Sequence, residues 1–230
     1  KNSKIEMAKK YFLKAKNKNS RSVLNSYVSN SLYNWSNLSN LEQATLDLNK
    51  LDERFKNLKK IQKVFLNCHF DSPNTNNIFT EITSNQEIDF SRYNYFHASF
   101  AVSIGKINIA KEIINSALKI YPRNLLLNQY KKDLNEKKVT SIFNCKKREH
   151  VVAEILYITA NALSSQSMFA LSNFYLNLAK YLNEDFLSFD TLLAENFYKI
   201  KNFKEAKKIY NSLSKKGEAY SWYSAKQLAR

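Results

Sequence analysis

Glycine and proline are almost missing from this chain of 230 residues, which has only Gly105, Gly217, Pro73 and Pro122. A β-sandwich needs turn residues about every ten positions, and a doubly wound α/β fold needs glycine in its loops. Helix interiors, in contrast, exclude both residue types. The shortage therefore argues against both β-containing architectures and predicts an all-α protein that is long enough to bury a sizeable core.

Cysteine is also scarce, and long hydrophobic runs are absent. Cys68 and Cys145 are too few for a disulfide framework, so we expect two free thiols, with a single bridge as the alternative. No run of about eighteen apolar residues occurs, so we predict no transmembrane segment in this fragment. The chain begins with Lys1 inside a helical pattern, from which we expect a longer parent chain. A signal region would not be visible, and the compartment, bacterial cytoplasm or periplasm, stays open.

Acidic residues are outnumbered, with 20 Asp and Glu against 36 Lys and Arg and a net charge of +16. Such an excess suits nucleic acid, an anionic membrane surface or an acidic partner. Only six of the basic residues are arginine, which is the better residue for bidentate recognition of bases and phosphates. Lysine, asparagine, isoleucine, phenylalanine and tyrosine are encoded by AT-rich codons, so coding bias is the competing explanation.

Motifs for catalysis, cofactors and metals are missing as well. Two glycines cannot supply a phosphate-binding loop or a dinucleotide fingerprint. The three histidines, His69, His97 and His150, do not combine with the cysteines in the close pairs typical of structural zinc. We therefore predict no catalytic residue, no metal site and no cofactor, and we interpret the chain as a non-enzyme.

Small residues at a fixed spacing are the strongest positive signal. Ala194 and Ala206 lie twelve residues apart among bulky apolar side chains that recur at helical spacing. Ala160 and Ser172 take the same two places 34 residues earlier. Alanine lets two helix backbones approach to the short end of the ~8–10 Å range. We therefore predict that these small residues are buried where paired helices cross.

A third unit has the same pattern. Ala98 and Ala110 are twelve residues apart, Gly105 lies between them, and Pro122 ends the unit. A 34-residue period of small and large residues is typical of tetratricopeptide repeats. The chain resembles that family, most closely from Ser91 onward, and its C-terminal half is similar to long proteobacterial members from AT-rich genomes. The resemblance implies antiparallel helix pairs stacked into a right-handed superhelical solenoid.

The predicted organisation is one continuous solenoid with four sections. They are degenerate N-terminal repeats at 1–90, one repeat at 91–123, an irregular helix and linker at 124–152, and C-terminal repeats at 153–230. Within them we also predict a further helix pair from Leu32, Trp35, Ala44, Leu48 and Leu51, a loop at Asp71–Asn77, a helix around Leu125–Leu134 and a polar linker at 135–141.

The resemblance also implies where a partner would bind. In this family the first helix of each pair lines the concave groove, so the inward residues of those helices are the candidates. They are Arg92, Tyr95, Ser99, Glu154, Tyr157, Asn161, Thr191, Glu195 and Tyr198. Tyrosine and arginine are favoured contact residues, although ordinary exposed polar residues are the alternative interpretation. A carboxylate clamp is not expected, because Tyr157 and Ser188 occupy the positions where basic residues would accompany Asn161.

Two functions compete on this basis. The first is a non-catalytic scaffold that binds a segment of another protein in the groove. The alternative is a basic helical-repeat protein that binds nucleic acid or another anionic polymer, for which Lys204, Lys207 and Lys208 are candidates unless they only form a solvated outer face. Phosphate binding weakens steeply with salt and groove binding does not, so salt dependence distinguishes the two.

Overall fold

The protein is helical throughout the residues that the computed structural model describes, which are 2–17, 22–84, 91–138 and 142–230. Those residues form thirteen α-helices and one 3₁₀ helix, with no strand among them, and the prediction of an all-α fold is confirmed. The 3₁₀ helix covers Glu53–Phe55. The α-helices are α1 (Asn2–Asn17), α2 (Val23–Ser36), α3 (Leu41–Asn49), α4 (Lys56–His69), α5 (Thr75–Thr83), α6 (Tyr93–Ser103), α7 (Ile107–Ile120), α8 (Leu125–Asn135), α9 (Arg148–Ser165), α10 (Phe169–Leu182), α11 (Ser188–Lys199), α12 (Phe203–Leu213) and α13 (Glu218–Leu228).

Helices pair where the small-residue pattern predicted pairs: α6 with α7, α9 with α10, and α11 with α12. Each pair is joined by a short turn, so its two helices run in opposite directions. Each turn holds one residue in the left-handed backbone region, Gly105, Ser167 or Lys201, with φ of 78°, 61° and 61°. This shared conformation recurs at the spacing of the small residues, although only the first turn uses the glycine that favours it.

The small residues of the pattern lie inside these pairs, as predicted. Ala194 is fully buried and Ala206 is 2% exposed. In the preceding pair the Ser172 hydroxyl donates a hydrogen bond to the Ala160 carbonyl oxygen at 2.7 Å, which places the two small positions in direct contact. Ser172 also accepts a hydrogen bond from the Asn196 side chain at 2.8 Å, so α9, α10 and α11 meet at this point.

The N-terminal section packs as successive helices from α1 to α6. The helix pair predicted here corresponds to α2 and α3, which pack together. Trp35, Ala44, Leu48 and Leu51 are in the core, and Leu32 packs against it partly buried. The predicted loop at Asp71–Asn77 is too long by three residues, because α5 already begins at Thr75. Residues 85–90 of this section and 139–141 of the predicted linker lie outside the described residues.

Helix α8 confirms the helix predicted around Leu125–Leu134. The side chain of Asn124 caps it by accepting a hydrogen bond from the Leu127 amide at 3.2 Å. Besides α7 and α6, α8 packs against α13, which is distant in the sequence, and α2 packs against α9 in the same way. The chain therefore folds back on itself at two places instead of contacting only its sequence neighbours.

Helix α13 is fixed to α8 at its first turn. The Gln129 side chain accepts a hydrogen bond from the Ala219 amide at 3.1 Å, and Lys132 forms an ion pair with Glu218. Gly217 begins this turn with φ of 137°, a backbone conformation that favours glycine. A Cβ there would also meet the end of the Gln129 side chain, so a larger residue would displace the group that binds the Ala219 amide.

An aromatic cluster joins the two halves of the core. The ring of Phe96 on α6 lies 4.5 Å from that of Phe143 and 5.7 Å from that of Phe186. Phe143 also lies 5.2 Å from Phe65 on α4. These rings come from four separate parts of the chain, so the segment before α9 is part of the hydrophobic core and not only a linker.

A disulfide bond joins Cys68 to Cys145, and the expectation of two free thiols is wrong. Their Cα atoms are 5.9 Å apart, within the usual range for a bridge. The His69 ring nitrogen Nδ1 lies 2.9 Å from the Cys145 carbonyl oxygen. Lys146 donates to the His69 carbonyl oxygen at 2.9 Å and pairs with Asp71. These five residues connect the end of α4 to the segment before α9.

Candidate functional site

An open cleft of about 440 Å³ lies among α4, α6, α8, α9 and α11. Four of the nine predicted groove residues line it, namely Arg92, Tyr157, Asn161 and Thr191. Apolar side chains on α4 and α8, including Leu58, Ile61, Leu125 and Leu126, form the other wall. We call this space the central cleft. It combines one apolar side with one polar and aromatic side, as ligand-binding clefts usually do.

A buried ion pair lies beside the central cleft. Arg92 donates from Nε to Glu154 Oε1 at 2.8 Å and from Nη2 to Oε2 at 2.7 Å. The Glu154 side chain is fully buried and that of Arg92 is 16% exposed. This bidentate geometry fixes the guanidinium plane. Because the carboxylate neutralises the guanidinium, the cleft does not carry a free positive charge at this point.

Aromatic rings surround the same guanidinium. Its central carbon lies 4.0 Å from the ring centre of Tyr157 and 4.7 Å from that of Phe186. Cations attract aromatic faces more strongly when both groups are removed from water. Arg92 is therefore held by a carboxylate and by rings, and it in turn orients Tyr157 on the wall of the cleft.

The ionisation of this cluster follows from burial and from the pair itself. Burial lowers the pKa of Arg92, but the attraction and hydrogen bonds of Glu154, together with the neighbouring Tyr157 and Tyr93, outweigh it and raise the pKa above its ordinary value. Burial raises the pKa of Glu154, which the Arg92 charge opposes. Burial likewise raises the pKa of Tyr157. Since arginine stays protonated in proteins, the pair is ionised and Tyr157 is a neutral hydrogen-bonding phenol.

Polar side chains form the mouth of the cleft. Asn161 is exposed on α9, and one helical turn separates it from Tyr157. Thr191 on α11 donates its hydroxyl to the Ser188 carbonyl oxygen at 2.8 Å. The exposed Asn161 amide offers both a donor and an acceptor to a bound group. Together with Tyr157, these residues provide hydrogen bonds suited to a peptide backbone.

Two other predicted residues lie beneath α8. Tyr95 is 1% exposed, and its ring packs 4.8 Å from that of Tyr130 and 5.5 Å from that of Phe186. Ser99 is half-buried and hydrogen-bonds to Tyr130. Both residues therefore take part in packing in this structure.

Two further predicted residues lie beneath α13. Glu195 accepts a hydrogen bond from the Tyr223 hydroxyl at 2.7 Å. Tyr198 has the Arg230 guanidinium 4.9 Å from its ring centre. The C-terminal helix and Arg230 thus cover the predicted groove residues of α11 at this end, and the central cleft is lined by predicted groove residues that α8 and α13 leave uncovered.

Sequence reasoning missed the apolar wall of the cleft. Leu58 and Ile61 are on α4, where the repeat register could not be followed, and Leu125 is on a helix that was assigned to an irregular section. One signal was available: Asn124 is an N-cap residue directly before a run of leucines, which marks a helix with an apolar face. That pattern places α8 in the core but does not say which helices it covers.

The three histidines contact different groups: His69 lies against the Cys145 carbonyl oxygen, and His150 accepts a hydrogen bond from the Asn144 amide. His97 stacks on Phe79 with 5.2 Å between ring centres, and its Nε2 lies 3.0 Å from Asn76 Oδ1. Burial lowers the pKa of His97 to about 4, so the ring is neutral near neutral pH.

Across the described ranges, no group of three or more His, Cys, Asp or Glu side chains could hold a metal ion. In the same part of the chain, no helix has both the length and the apolar character needed to cross a membrane.

Comparison with known proteins assigns no family. No family model matches the chain, and no curated protein matches it. The resemblance to tetratricopeptide repeats therefore depends on the residue pattern of the chain, and the function must be argued from the central cleft itself.

Proposed function

We propose that the protein is a non-catalytic scaffold of tetratricopeptide-like helix pairs that binds an extended segment of another protein in the central cleft. In this proposal the pairs follow the right-handed superhelical path that the resemblance implies. The observation that supports it best is that Arg92, Tyr157, Asn161 and Thr191, predicted as inward residues of three different first helices, line one open cleft.

The chemistry of the cleft suits a peptide segment. Its apolar wall on α4 and α8 can accept one or two aliphatic side chains, and Tyr157 and Asn161 can hydrogen-bond the backbone beside them. The volume of about 440 Å³ matches a few residues and not a folded domain. Because Glu154 neutralises Arg92, we expect a segment without a strong negative charge.

Site-specific crosslinking tests this proposal. A photoreactive residue at Asn161, on the mouth of the cleft, should capture the partner in cells, whereas one at Asn177, which is exposed on α10 outside the cleft, should not. The recovered partner should then bind the Tyr157→Ala variant at least about tenfold more weakly, as expected for a central aromatic contact.

The alternative of a nucleic-acid or anionic-polymer binder predicts different outcomes. Lys204, Lys207 and Lys208 are exposed on α12 and are not among the residues that line the cleft, so changing all three to Ser should leave the partner's affinity unchanged. A partner that tolerates Tyr157→Ala, is lost with the lysine changes and weakens steeply with salt would refute the scaffold proposal and support the alternative.

A further inference from the structure

One face of α10 is apolar and exposed. Leu171, Phe174, Leu178 and Tyr181 follow one another at spacings of three and four residues, which places them on a single face of the helix. Phe174 is 56% exposed and Tyr181 is 84% exposed. Scattered exposed apolar residues are ordinary, but a contiguous row of this kind marks an interaction surface. We call these four residues the α10 face.

The opposite side of α10 makes the packing contacts of this helix. Ser172, Leu176 and Ala179 are buried there against α9 and α11. The α10 face points away from this packing, and its residues are not among those that line the central cleft. The row is therefore not required for the helix to pack, and its exposure calls for another explanation.

The turn between α11 and α12 lies at the start of α10. There Lys199 lies 5.6 Å from the ring centre of Phe169, the first residue of α10. Beyond it, Ile200 is 46% exposed and Phe203 is 56% exposed. The exposed lysines Lys201 and Lys204 alternate with these two apolar residues. Exposed apolar and basic side chains are therefore grouped at the end of α10 where the α10 face begins with Leu171, and we call the three lysines the basic rim.

The ionisable residues on and near the α10 face indicate which kind of partner binds there. The only ionisable side chain in α10 apart from its tyrosines is Lys180, which pairs with Asp190. The carboxylates nearest in sequence, Glu184 and Asp185, follow the helix at the end away from the basic rim. A second copy of the chain would bring another net charge of +16 against the first. An anionic bilayer, in contrast, offers apolar chains to the leucines and phenylalanine and negative headgroups to the lysines.

We propose that the α10 face and the adjoining α11–α12 turn bind peripherally to the surface of an anionic lipid bilayer. Leu171, Phe174 and Leu178 enter the boundary between headgroups and acyl chains, and the amphipathic ring of Tyr181 lies at headgroup level. The lysines of the rim contact lipid phosphates. The mouth of the central cleft is formed by other helices, so the inference does not depend on what the cleft binds.

Vesicle binding tests the proposal. The full chain should co-sediment with vesicles of phosphatidylglycerol and phosphatidylcholine, and much less with phosphatidylcholine alone. The change of Phe174 and Leu178 to Ser should lower the partition coefficient at least about tenfold. The matched control is Leu46→Ser on α3, because Leu46 is 51% exposed but lies outside the face, and it should bind like the unchanged protein.

Two further measurements separate the contributions. Changing Lys199, Lys201 and Lys204 to Ser should weaken binding about tenfold or more, and only to vesicles that contain phosphatidylglycerol. A Trp222→Phe chain keeps the buried Trp35, and the emission of that chain with vesicles is subtracted as the background. Above this background, a tryptophan at Phe174 should shift its emission to the blue and be quenched by brominated lipid, whereas one at Leu46 should do neither. Circular dichroism verifies that each variant is folded.

Several outcomes would overturn the proposal. One is equal binding to vesicles with and without phosphatidylglycerol, and another is a tryptophan at Phe174 that brominated lipid does not quench. Sedimentation showing a dimer that dissociates when Phe174 and Leu178 become Ser would assign the face to a second copy. Salt-sensitive binding of RNA that is lost with the three lysine changes, without binding to vesicles, would assign the rim to nucleic acid.

Discussion

Removing the Cys68–Cys145 bridge should cost a large part of the protein's stability. A bridge stabilises mainly by restricting the unfolded chain, and the cost grows with the logarithm of the loop that it closes. The sequence separation here is 77 residues. The chain-entropy relation then gives about 4.5 kcal/mol at 25 °C for this loop. In urea, with a slope of about 3 kcal/mol per molar, that loss corresponds to a midpoint lower by about 1.5 M.

The perturbation is Cys68→Ala combined with Cys145→Ala, which keeps two nearly buried positions apolar. Urea unfolding followed by circular dichroism should show the lower midpoint for this variant and for the reduced unchanged protein. Reductant should have no effect on the variant itself. If the oxidised protein and the double variant unfold at the same urea concentration, the loop-closure reasoning is refuted.

Two other perturbations test the packing and the titration of the core. Ala194→Phe or Ala206→Phe should lower the free energy of unfolding by ~1–3 kcal/mol through overpacking, measured by thermal melts, and Ala→Phe changes that leave both melts unaltered would show that neither residue lies at a crossing. Burial lowers the pKa of His97 to about 4 in the folded protein, from its ordinary value of 6.5, so the unfolded chain takes up this proton first as the pH falls. The free energy of unfolding should therefore decrease as the pH falls from 6.5 to 4, and the protonation of His97 should account for about 3 kcal/mol of that decrease. His97→Gln should reduce that slope, and an unchanged slope would contradict the depressed pKa.

Local features of the sequence predicted the local features of the fold. The spacing of Ala194 and Ala206 identified a helix pair because small residues must recur where two helices approach closely. The helix predicted around Leu125–Leu134 is present as α8, where the apolar run and the capping Asn124 both act locally. In both cases the physical cause acts within one or two helices, and the sequence records it directly.

Features that depend on distant segments could not be read in the same way. The spacing of Cys68 and Cys145 in the sequence does not show how close they lie in the fold. The prediction of two free thiols, made from the small number of cysteines, was therefore wrong. Tyr95 and Glu195 were placed on the inward side of their helices by counting, but α8 and α13 cover them from other parts of the chain. The candidate site narrowed to the central cleft for this reason.

The contacts of α2 with α9 and of α8 with α13 have a consequence for how the protein comes apart. When helix pairs touch only their neighbours, an end can fray while the middle stays folded, and stability is distributed along the array. Here two contacts span large parts of the chain, and each would have to break before either half could open on its own. Unfolding should therefore be concerted across the described helices from α2 to α13, with amide protons in distant helices exchanging at a common slow rate.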